Sequence, residues 1–354
     1  MRSTLRDVAQ AAGVSVMSAC AVLTGGGRNV KVSEDKAKLI REKAAELQYE
    51  PNLMGRGLRT RKTDTIGVVF QHLTSFGEEP YYYQQLLDGI MAALFPHGYT
   101  LALSPILIQG DGPVQISNGR FDGILWCCPD LIETSVESTK SLRMPVVMVH
   151  APQDVAVGLP TFAADNERAM DRIVKHLVGL GHESIGFVVK PHVARTVEGK
   201  ARMAAFLKAG ERLAVKVDVL EWEYDVKQLA KYASNAPPHT ALTAYNDVHA
   251  GHILSRAAEL DIRVPDDLSI VGFDSSSFCE RTQPRLTSVH QPIERIAREA
   301  TECLLRLINA GRDSIPDLQQ FSTLYDCQLD IRDSTAAPNP HRRGHCPNSN
   351  HSGT

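Results

Sequence analysis

Polar side chains follow short apolar and β-branched runs, at the points where strands would end. They are Asn246 and Asp247 after ALTAY, Asp274 after SIVGF, Gln71 and His72 after IGVVF, and Trp126 near the end of GILWC. A carboxylate and an amide can each make two hydrogen bonds to vicinal hydroxyls, and an aromatic ring can cover the apolar face of a sugar. Because parallel α/β sheets bind ligands at the C-terminal ends of their strands, the pattern predicts a site for a small, sugar-like molecule.

Two of these side chains have an alternative interpretation that needs no ligand. Asp247 is equally suited to be the N-cap of the helix that would follow it. Trp126 is equally suited to the apolar core of its strand.

The elements that would position these side chains alternate between strand and helix from residue 64 onward. Strands are predicted at 66–70, 100–104, 123–127, 145–150, 184–189, 215–222, 241–246 and 268–274. Helices are predicted at about 81–95, 131–142, 167–180, 200–209, 225–234 and 247–260. This rhythm predicts parallel sheets with helices on both faces, in two similar lobes. The segment 105–120 is too rich in Gly and Pro for a full helix, and the polar tail 334–354 is expected to be disordered.

The first 50 residues have a different pattern, that of three short helices. Thr4 is a plausible N-cap for the first helix, Gly13 ends it, Ser15 can cap the second at Val16–Leu23, and Ser33 can cap the third. A three-residue turn between the first two helices fits helix-turn-helix geometry, a common way to present one helix to the DNA major groove.

Charge separates this segment from the rest of the chain. Residues 1–62 hold 12 Lys and Arg against 6 Asp and Glu, whereas the remainder holds 26 against 35. A small basic segment attached to a neutral-to-acidic body suggests a nucleic-acid-binding unit.

Several classes of protein are disfavoured by what the chain lacks. No apolar run approaches the ~20 residues of a membrane span, and the charged N-terminus has no signal-peptide core. The seven Cys are scattered without CxxC spacing, which argues for reduced thiols in a cytoplasm and against a zinc site. No phosphate loop, G-x-S-x-G or H-E-x-x-H motif occurs, so we expect no enzyme and no cofactor.

Residues 4 to about 333 resemble the LacI/GalR family of bacterial repressors. The headpiece motifs are TLRDVAQAAGVS, VMSACAVL, RNVKVSEDKAKLIREKAAELQYEPN and the hinge LMGRGL; the later ones include FDGILW, GHESIGFV, TAYNDVHAGHIL, VPDDLSIVGFD and PRLTSVHQP. The resemblance implies an all-α helix-turn-helix headpiece at 1–50, a hinge at 51–62 and an α/β two-lobed periplasmic-binding-protein-like domain at 63–333. It places lobe 1 at about 63–163 and 291–320, and lobe 2 at about 164–290 and 321–333.

The resemblance also implies which side chains meet DNA. Val16 and Met17 occupy the positions of base readers, Ala21 replaces an arginine that reads guanine, and Leu58 matches a leucine wedge for the minor groove. Glycines 55 and 57 predict a hinge that is disordered without DNA. The remaining implied DNA contacts are Thr4, Ser15, Ser18, Asn29 and Arg56.

In the sensor, the resemblance assigns effector contacts to Asn246 and Asp274, and Arg195 is the nearest candidate for a family arginine. Asp165-Asn166 matches a pair at the lobe crossover, where capping and ligand contact are both open. Ser275 stands where the family has a second Asp.

Together these features predict a cytoplasmic, homodimeric transcriptional regulator that binds double-stranded operator DNA and a small, carbohydrate-like effector. A sugar-binding protein without DNA function and an α/β enzyme are the alternatives. The first would need a signal peptide and no basic headpiece, and the second a nucleophile–base pair or a phosphate loop.

Overall fold

The computed structural model describes residues 3–24, 30–50, 62–70, 77, 79–104, 119–128, 144–152, 158–223, 225–234, 236–310 and 318–340. These residues form two compact units, Met1–Asp64 and Thr65–Thr354. The predicted hinge, the shortened segment 105–120 and the helix at 131–142 lie almost entirely outside the described residues.

The described part of the first unit forms three helices, α1 (Leu5–Ala11), α2 (Val16–Thr24) and α3 (Glu34–Glu46). Thr4 caps α1 in a reciprocal capping box with Asp7, and the Ser15 hydroxyl accepts the Ser18 amide at 3.0 Å at the start of α2. Gly13 takes a φ of 63°, the left-handed geometry that allows the tight turn between them. Ser33 stands at the N-cap position of α3, but its side chain makes no capping hydrogen bond.

A small apolar cluster holds the three helices together. Its buried members are Val8, Ala9, Ala12, Ala19, Ile40 and Ala44. Ile40 and Ala44 of α3 are four positions apart, and the partly buried Val22 and Leu23 of α2 follow Ala19 by three and four positions, which is the spacing of one helical face. The cluster fixes which side of α2 is turned inward, and therefore which side remains available to a partner.

The second unit is built on two six-stranded sheets. The strands of the first sheet run in the order β11-β5-β4-β3-β1-β2, and those of the second run β12-β10-β9-β8-β6-β7. The first sheet contains β1 (Thr65–Phe70), β2 (Thr100–Ser104), β3 (Gly123–Cys127), β4 (Val146–Val149), β5 (Thr161–Ala164) and β11 (Thr323–Tyr325). The second contains β6 (Ser184–Val189), β7 (Lys216–Glu221), β8 (Ala241–Ala244), β9 (Ser269–Asp274), β10 (Thr287–His290) and β12 (Gln328–Asp330). Among the described residues, neighbouring strands are parallel except β10 and β12, which are antiparallel.

Helices pack against each sheet and define two lobes. Lobe 1 combines the first sheet with α4 (Pro80–Leu94) and α10 (Ile293–Ala310). Lobe 2 combines the second sheet with α5 (Asn166–Gly179), α6 (Pro191–Ala194), α7 (Val197–Leu213), α8 (Val226–Ala230) and α9 (Asp247–Glu259). No helix among the described residues is long and apolar enough to cross a membrane.

Two boundaries of the predicted organisation are wrong in detail. The third passage between lobes was expected near 320, but β11 pairs with β5 in lobe 1 and the chain enters the second sheet only at β12. The helix expected at 200–209 runs from Val197 to Leu213 because Thr196 caps it, and its side chain accepts the Gly199 amide. The sequence analysis did not find this cap because Val197, Glu198 and Gly199 do not continue the pattern of apolar residues three or four positions apart that marks a helix.

The expectation of a disordered tail from residue 334 is wrong for its first seven residues. Ser334 is buried and donates to the Ile270 carbonyl, while its oxygen accepts the Thr287 amide. Further along, the Ala336 carbonyl meets both His182 Nε2 at 3.0 Å and Ser269 Oγ at 3.1 Å. This polar segment is ordered by hydrogen bonds to lobe 2, which composition alone could not predict.

Candidate functional site

A cavity between the two lobes encloses about 320 Å³ of space, part of it open to solvent. Its lining is polar and comes from both lobes and from the connection between them. The lining residues are Glu79, Tyr82, Cys128, His150, Glu198, Arg202, Tyr245, Asn246, Asp274 and Gln291.

Strand ends supply much of this lining. Cys128 follows β3, His150 follows β4, Tyr245 follows β8 and Gln291 follows β10, while Asp274 is the last residue of β9. Because the strands in each sheet are mostly parallel, their carboxyl ends meet at one edge, and the two edges face the cavity. The rule that predicted Asn246 and Asp274 therefore also applies to side chains that the sequence analysis did not select.

Three lining residues have positive backbone φ angles, which residues other than glycine seldom adopt. The φ values are 47° at Cys128, 54° at His150 and 112° at Asp274, and Ser275 follows with 47°. Such conformations cost about 1–3 kcal/mol each and persist only where the surrounding structure enforces them. They turn the chain sharply at the strand ends and direct it along the cavity wall.

Arg202 is the centre of the lobe 2 side of the cavity. Its Nη2 donates to Glu198 at 3.0 Å, Nη1 to the Tyr245 carbonyl at 2.7 Å, and Nε to Asn166 at 3.2 Å. The guanidinium carbon also lies 3.8 Å from the centre of the Phe273 ring. Only 3% of Arg202 is exposed, and every nitrogen of the guanidinium has a partner. A buried charge is tolerated only with such compensation.

Asp274 lies beside Gln291, whose Nε2 donates to Asp274 Oδ1 at 2.5 Å. Burial, and next the charge of Asp247, raise the pKa of the Asp274 carboxyl well above its usual range. Asp247 itself accepts the Ser276 amide and hydroxyl and the Ser288 hydroxyl, so it fixes the turn after β9. Asp247 therefore supports the wall of the cavity from behind and does not line it.

Asn246 is the N-cap of α9, because its Oδ1 accepts the His249 amide at 2.9 Å. The capping alternative considered for Asp247 thus belongs to its neighbour. The other end of the Asn246 amide, Nδ2, donates to Glu79 Oε1 of lobe 1 at 2.6 Å. This hydrogen bond joins the two lobes across the cavity.

Two buried polar atoms of the lining have no hydrogen-bond partner among the described residues. They are His150 Nε2 and Gln291 Oε1. Burial lowers the pKa of His150 to about 4, so the ring is neutral at pH 7. Leaving a buried polar group unpaired costs roughly 1–3 kcal/mol, which a ligand in the cavity would recover.

The structure does not bring all predicted effector residues to the cavity. Trp126 is 1% exposed and packs with Val69 and Met148 in a separate core cluster, because alternation along β3 turns it to the other face from Cys127. Arg195 is exposed at the end of α6, and Arg202, one helix further on, takes the place expected for it. Gln71 and His72 lie outside the described residues.

The Asp165-Asn166 pair divides its roles. Asp165 caps α5 by accepting the Arg168 amide at 3.0 Å. Asn166 donates to Glu198 at 2.9 Å and accepts from Arg202, so it steadies that ion pair. Neither residue lines the cavity, and no group of three or more His, Cys, Asp or Glu within the described ranges could hold a metal ion.

Glu79, Tyr82 and Glu198 were missed because they lie in the first turn of a helix or just before one, and Arg202 was missed because it lies one turn further along the helix that carries Glu198. Glu79 precedes α4, Tyr82 lies in its first turn, and Glu198 lies in the first turn of α7. A helix that starts at a strand end points its first turn toward the same edge of the sheet. That geometry was the available signal, although it does not say which side of the turn faces the cavity.

In the first unit, α2 presents a strongly exposed apolar pair. Met17 is 67% and Val16 is 44% exposed, although both side chains are apolar. Ala19, in contrast, is buried against the cluster, so the residues named for DNA contact lie away from the core. Thr4, Ser15, Ser18 and Ala21 are at least partly exposed, while Asn29, Arg56 and Leu58 lie outside the described residues.

A three-helix unit with an exposed second helix, followed by a two-lobed domain with a polar interlobe cavity, defines a ligand-sensing DNA-binding protein. Residues 4–52 match the bacterial regulatory proteins of the lacI family, and residues 174–335 match a periplasmic binding protein-like domain. The chain is 30% identical to the HTH-type transcriptional repressor PurR of Vibrio cholerae serotype O1 (strain M66-2), over 86% of this chain and 91% of that protein. The chain belongs to the lacI family of bacterial regulatory proteins, and it is a DNA-binding transcriptional regulator.

Other relatives and solved structures agree with this assignment. Catabolite control protein A of Priestia megaterium is 28% identical over 87% of this chain and 93% of that protein. A lac repressor dimer, bound to operator and the anti-inducer ONPF, superposes with a TM-score of 0.80 at 21% identity, covering 95% of this chain and all of the other. A complex of the regulator CelR with cellobiose superposes with a TM-score of 0.63 at 23% identity, covering 94% of this chain and all of the other. At these identities the two structures establish the fold.

Proposed function

We propose that the protein is a cytoplasmic, homodimeric repressor whose operator affinity is set by a small sugar-like molecule bound between the lobes. The observation that carries this proposal is the cavity, where buried polar atoms of His150 and Gln291 lack partners among the residues described. Three lining residues with left-handed φ angles support it, because strain of this kind collects at ligand sites.

Asp274 and Asn246 remain the proposed effector contacts. Asn246 also has structural roles, so its substitution would change more than ligand binding. Asn246 caps α9 and holds Glu79, so removing its amide would disturb both a helix and the contact between lobes. Asp274 accepts a hydrogen bond from Gln291, and its carboxyl has capacity for further hydrogen bonds. Asp274 is therefore the better site for testing ligand binding.

Operator binding is proposed to use α2 and the basic residues around it. Arginine is absent from the exposed face of α2, where Val16 and Met17 can only meet a thymine methyl or the floor of the groove. We therefore expect the contacts to phosphates to supply most of the affinity and the apolar pair to supply part of the specificity. A two-fold dimer would read a near-palindromic site.

The test begins with duplexes selected from a random pool by the full-length protein. Affinity for the selected sequence is then measured by fluorescence anisotropy at several salt concentrations, with and without members of a panel of sugars. We expect log K to fall by about 0.9 for each neutralised phosphate as log salt rises. Met17→Ala should relax sequence preference, whereas Leu39→Ala, an exposed apolar residue of α3, serves as the matched control.

Effector control is tested with the sugar that changes operator affinity. Asp274→Ala should weaken binding of that sugar by at least about tenfold, the loss expected when two hydrogen bonds to a buried carboxyl are removed. Operator affinity without sugar should stay near that of the wild type, as it should in the exposed control Asp266→Ala. Unchanged sugar affinity in the Asp274 variant would contradict the assignment of this cavity, while selection of no duplex at all would contradict the regulatory function itself.

A further inference from the structure

The polar groups of the interlobe cavity are strongly biased in charge. Glu79, Glu198 and Asp274 contribute carboxyl groups, and Arg202 is the one Lys or Arg in the described lining. His150 adds no positive charge at pH 7, because burial lowers its pKa to about 4. Even with Asp274 protonated, two carboxylates face one guanidinium.

The single guanidinium is also fully engaged. Glu198 accepts from Nη2 at 3.0 Å, the Tyr245 carbonyl accepts from Nη1, and Asn166 accepts from Nε. Glu198 is itself mostly buried and is held from the far side by Asn166 Nδ2 at 2.9 Å. An anion entering the cavity would have to displace this carboxylate from its partners or lie beside it in a medium that screens charge poorly.

Apart from His150 Nε2 and a protonated Asp274, the unused hydrogen-bonding capacity of the described lining is that of acceptors. Gln291 gives its Nε2 to Asp274 and keeps a buried Oε1 without a partner among the described residues. Asn246 gives its Nδ2 to Glu79, and its Oδ1 accepts the His249 amide. The amide donors of Gln291 and Asn246 are therefore occupied, whereas Glu198, Asp274 and Gln291 Oε1 can still accept hydrogen bonds. A hydroxyl-rich ligand supplies several donors, whereas the dianionic group of a phosphate ester supplies none and inorganic phosphate keeps about one at neutral pH.

We infer that this cavity selects an uncharged, hydroxyl-rich ligand and excludes phosphorylated or carboxylated ones, with Glu198 as the residue that sets the selectivity. The inference rests on the proposed function in taking the cavity as the effector site. Glu198 acts by neutralising Arg202 before any ligand arrives. Glu79 adds a second negative charge from lobe 1 and occupies the amide that an anion would otherwise use.

Inorganic phosphate is the probe, because it carries the excluded group without any sugar. The full-length protein is heated in 20 mM sodium phosphate and in sodium chloride of equal ionic strength, and the difference between the two midpoints is recorded for each variant. We expect no difference for the wild type, and none for Glu167→Gln, an exposed Glu of α5 paired with Lys208. Glu198→Gln should gain phosphate stabilisation, with an apparent Kd at least about tenfold below that of the wild type.

Two further variants complete the test. Glu198→Gln combined with Arg202→Met should lose the gain, which would place the bound phosphate at the guanidinium. Glu79→Gln keeps an oxygen for Asn246 and should give a smaller gain, so it replaces Glu198→Gln if that variant does not fold. Because each comparison is made within one variant, a lower baseline stability does not affect it.

The inference is overturned if wild type is stabilised by phosphate as much as Glu198→Gln in an Arg202-dependent way, or if neither Glu variant gains. A sugar phosphate that stabilises the wild type more than its parent sugar would overturn it as well. None of these outcomes depends on DNA, so they are distinct from failure of the proposed regulatory function, which is a failure to bind a selected duplex or to respond to a sugar.

Discussion

The two lobes share a sheet order but contribute differently to the cavity between them. Lobe 2 presents side chains that are already tied together, with Arg202 bound to Glu198, Asn166 and Tyr245. Lobe 1 presents His150, whose Nε2 has no partner among the residues that the structure describes. It also presents Tyr82, whose hydroxyl lies 3.1 Å from the Cys128 thiol, a weak hydrogen-bonding group. We infer that the Arg202 network makes lobe 2 the more preorganised side of the site. Spare hydrogen-bonding capacity remains at His150 in lobe 1 and at Asp274 and Gln291, which lie at the ends of strands of lobe 2.

This difference predicts that cavity substitutions in lobe 2 cost more stability than those in lobe 1. A preorganised network is stable only when complete, because each partner removed leaves another buried group unpaired. Side chains with unused capacity lose little when they are changed. The predictions that follow measure this contrast, from the largest expected effect to the smallest.

Arg202→Met should lower the free energy of unfolding by about 3–5 kcal/mol, because it leaves the buried Glu198 carboxylate without its counter-ion. Urea unfolding measures the change. The matched control is Arg212→Met on the same helix, since Arg212 is half exposed in its ion pair with Asp171 and should cost about 0–1 kcal/mol. Equal losses in the two variants would show that the lobe 2 network is no better organised than a surface pair.

The free energy of unfolding should decrease as the pH is lowered through the range in which buried histidines gain a proton on unfolding. Burial lowers the pKa of His182 to about 4 from an unfolded value of about 6.5. The unfolded chain then binds more protons between these values, so this contribution is complete above about pH 6.5 and is lost as pH falls toward 4. The full loss is about 3 kcal/mol.

The measurement compares wild type with His182→Gln across that window, so that other titrating groups cancel. The wild type should lose about 3 kcal/mol more than the variant between pH 6.5 and 4. The exposed His192→Gln serves as control and should follow the wild type. Substituting His150 in lobe 1 should flatten the profile similarly, because burial lowers its pKa to about 4 as well. If the free energy of unfolding had the same pH dependence in wild type and His182→Gln, His182 would not be the group responsible for the loss.

Glycine substitutions probe the helix packing that supports each lobe. A Cβ on Gly89 in lobe 1 would lie 2.2 Å from the Glu294 carbonyl oxygen, and one on Gly210 in lobe 2 would lie 2.3 Å from a Val217 methyl. We expect Gly89→Ala to cost about 1–3 kcal/mol by urea unfolding, and Gly210→Ala less, because a side chain yields more readily than backbone. Gly179→Ala meets nothing within 4 Å and should be neutral or slightly stabilising.

Tyr82→Phe should have the smallest effect, a loss of about 0.5–1 kcal/mol, because the change removes only the hydrogen bond between a phenol and a thiol. Urea unfolding is again the measurement, with Arg202→Met as the reference from the opposite wall. A loss approaching that of Arg202→Met would mean that lobe 1 is as tightly organised as lobe 2.

The sequence by itself determined the local helices and strands. It also determined which residues follow the strand ends, where a ligand site is expected. The run SIGFVV gives β6, GILWC gives β3, and the Thr4, Gly13 and Ser15 signals give the helix-turn-helix, because caps and alternation are local properties. The rule that parallel strands bind ligands at their carboxyl ends correctly brought Asn246 and Asp274 to the cavity. The positions at which the chain crosses between lobes were predicted from the resemblance to the LacI/GalR family and not from the periodicity of the sequence.

Only the tertiary structure decided which other side chains share that cavity. Trp126 and Cys127 are neighbours in one strand, and the packing of helices on the sheet determines which of them faces which layer. Arg195 and Arg202 are equally basic in sequence, but the cap at Thr196 starts a new helix that carries Arg202 inward and leaves Arg195 exposed. Glu79 meets Asn246 across 167 positions of chain. Contacts of this kind depend on how distant segments pack, and no local pattern of residues encodes them.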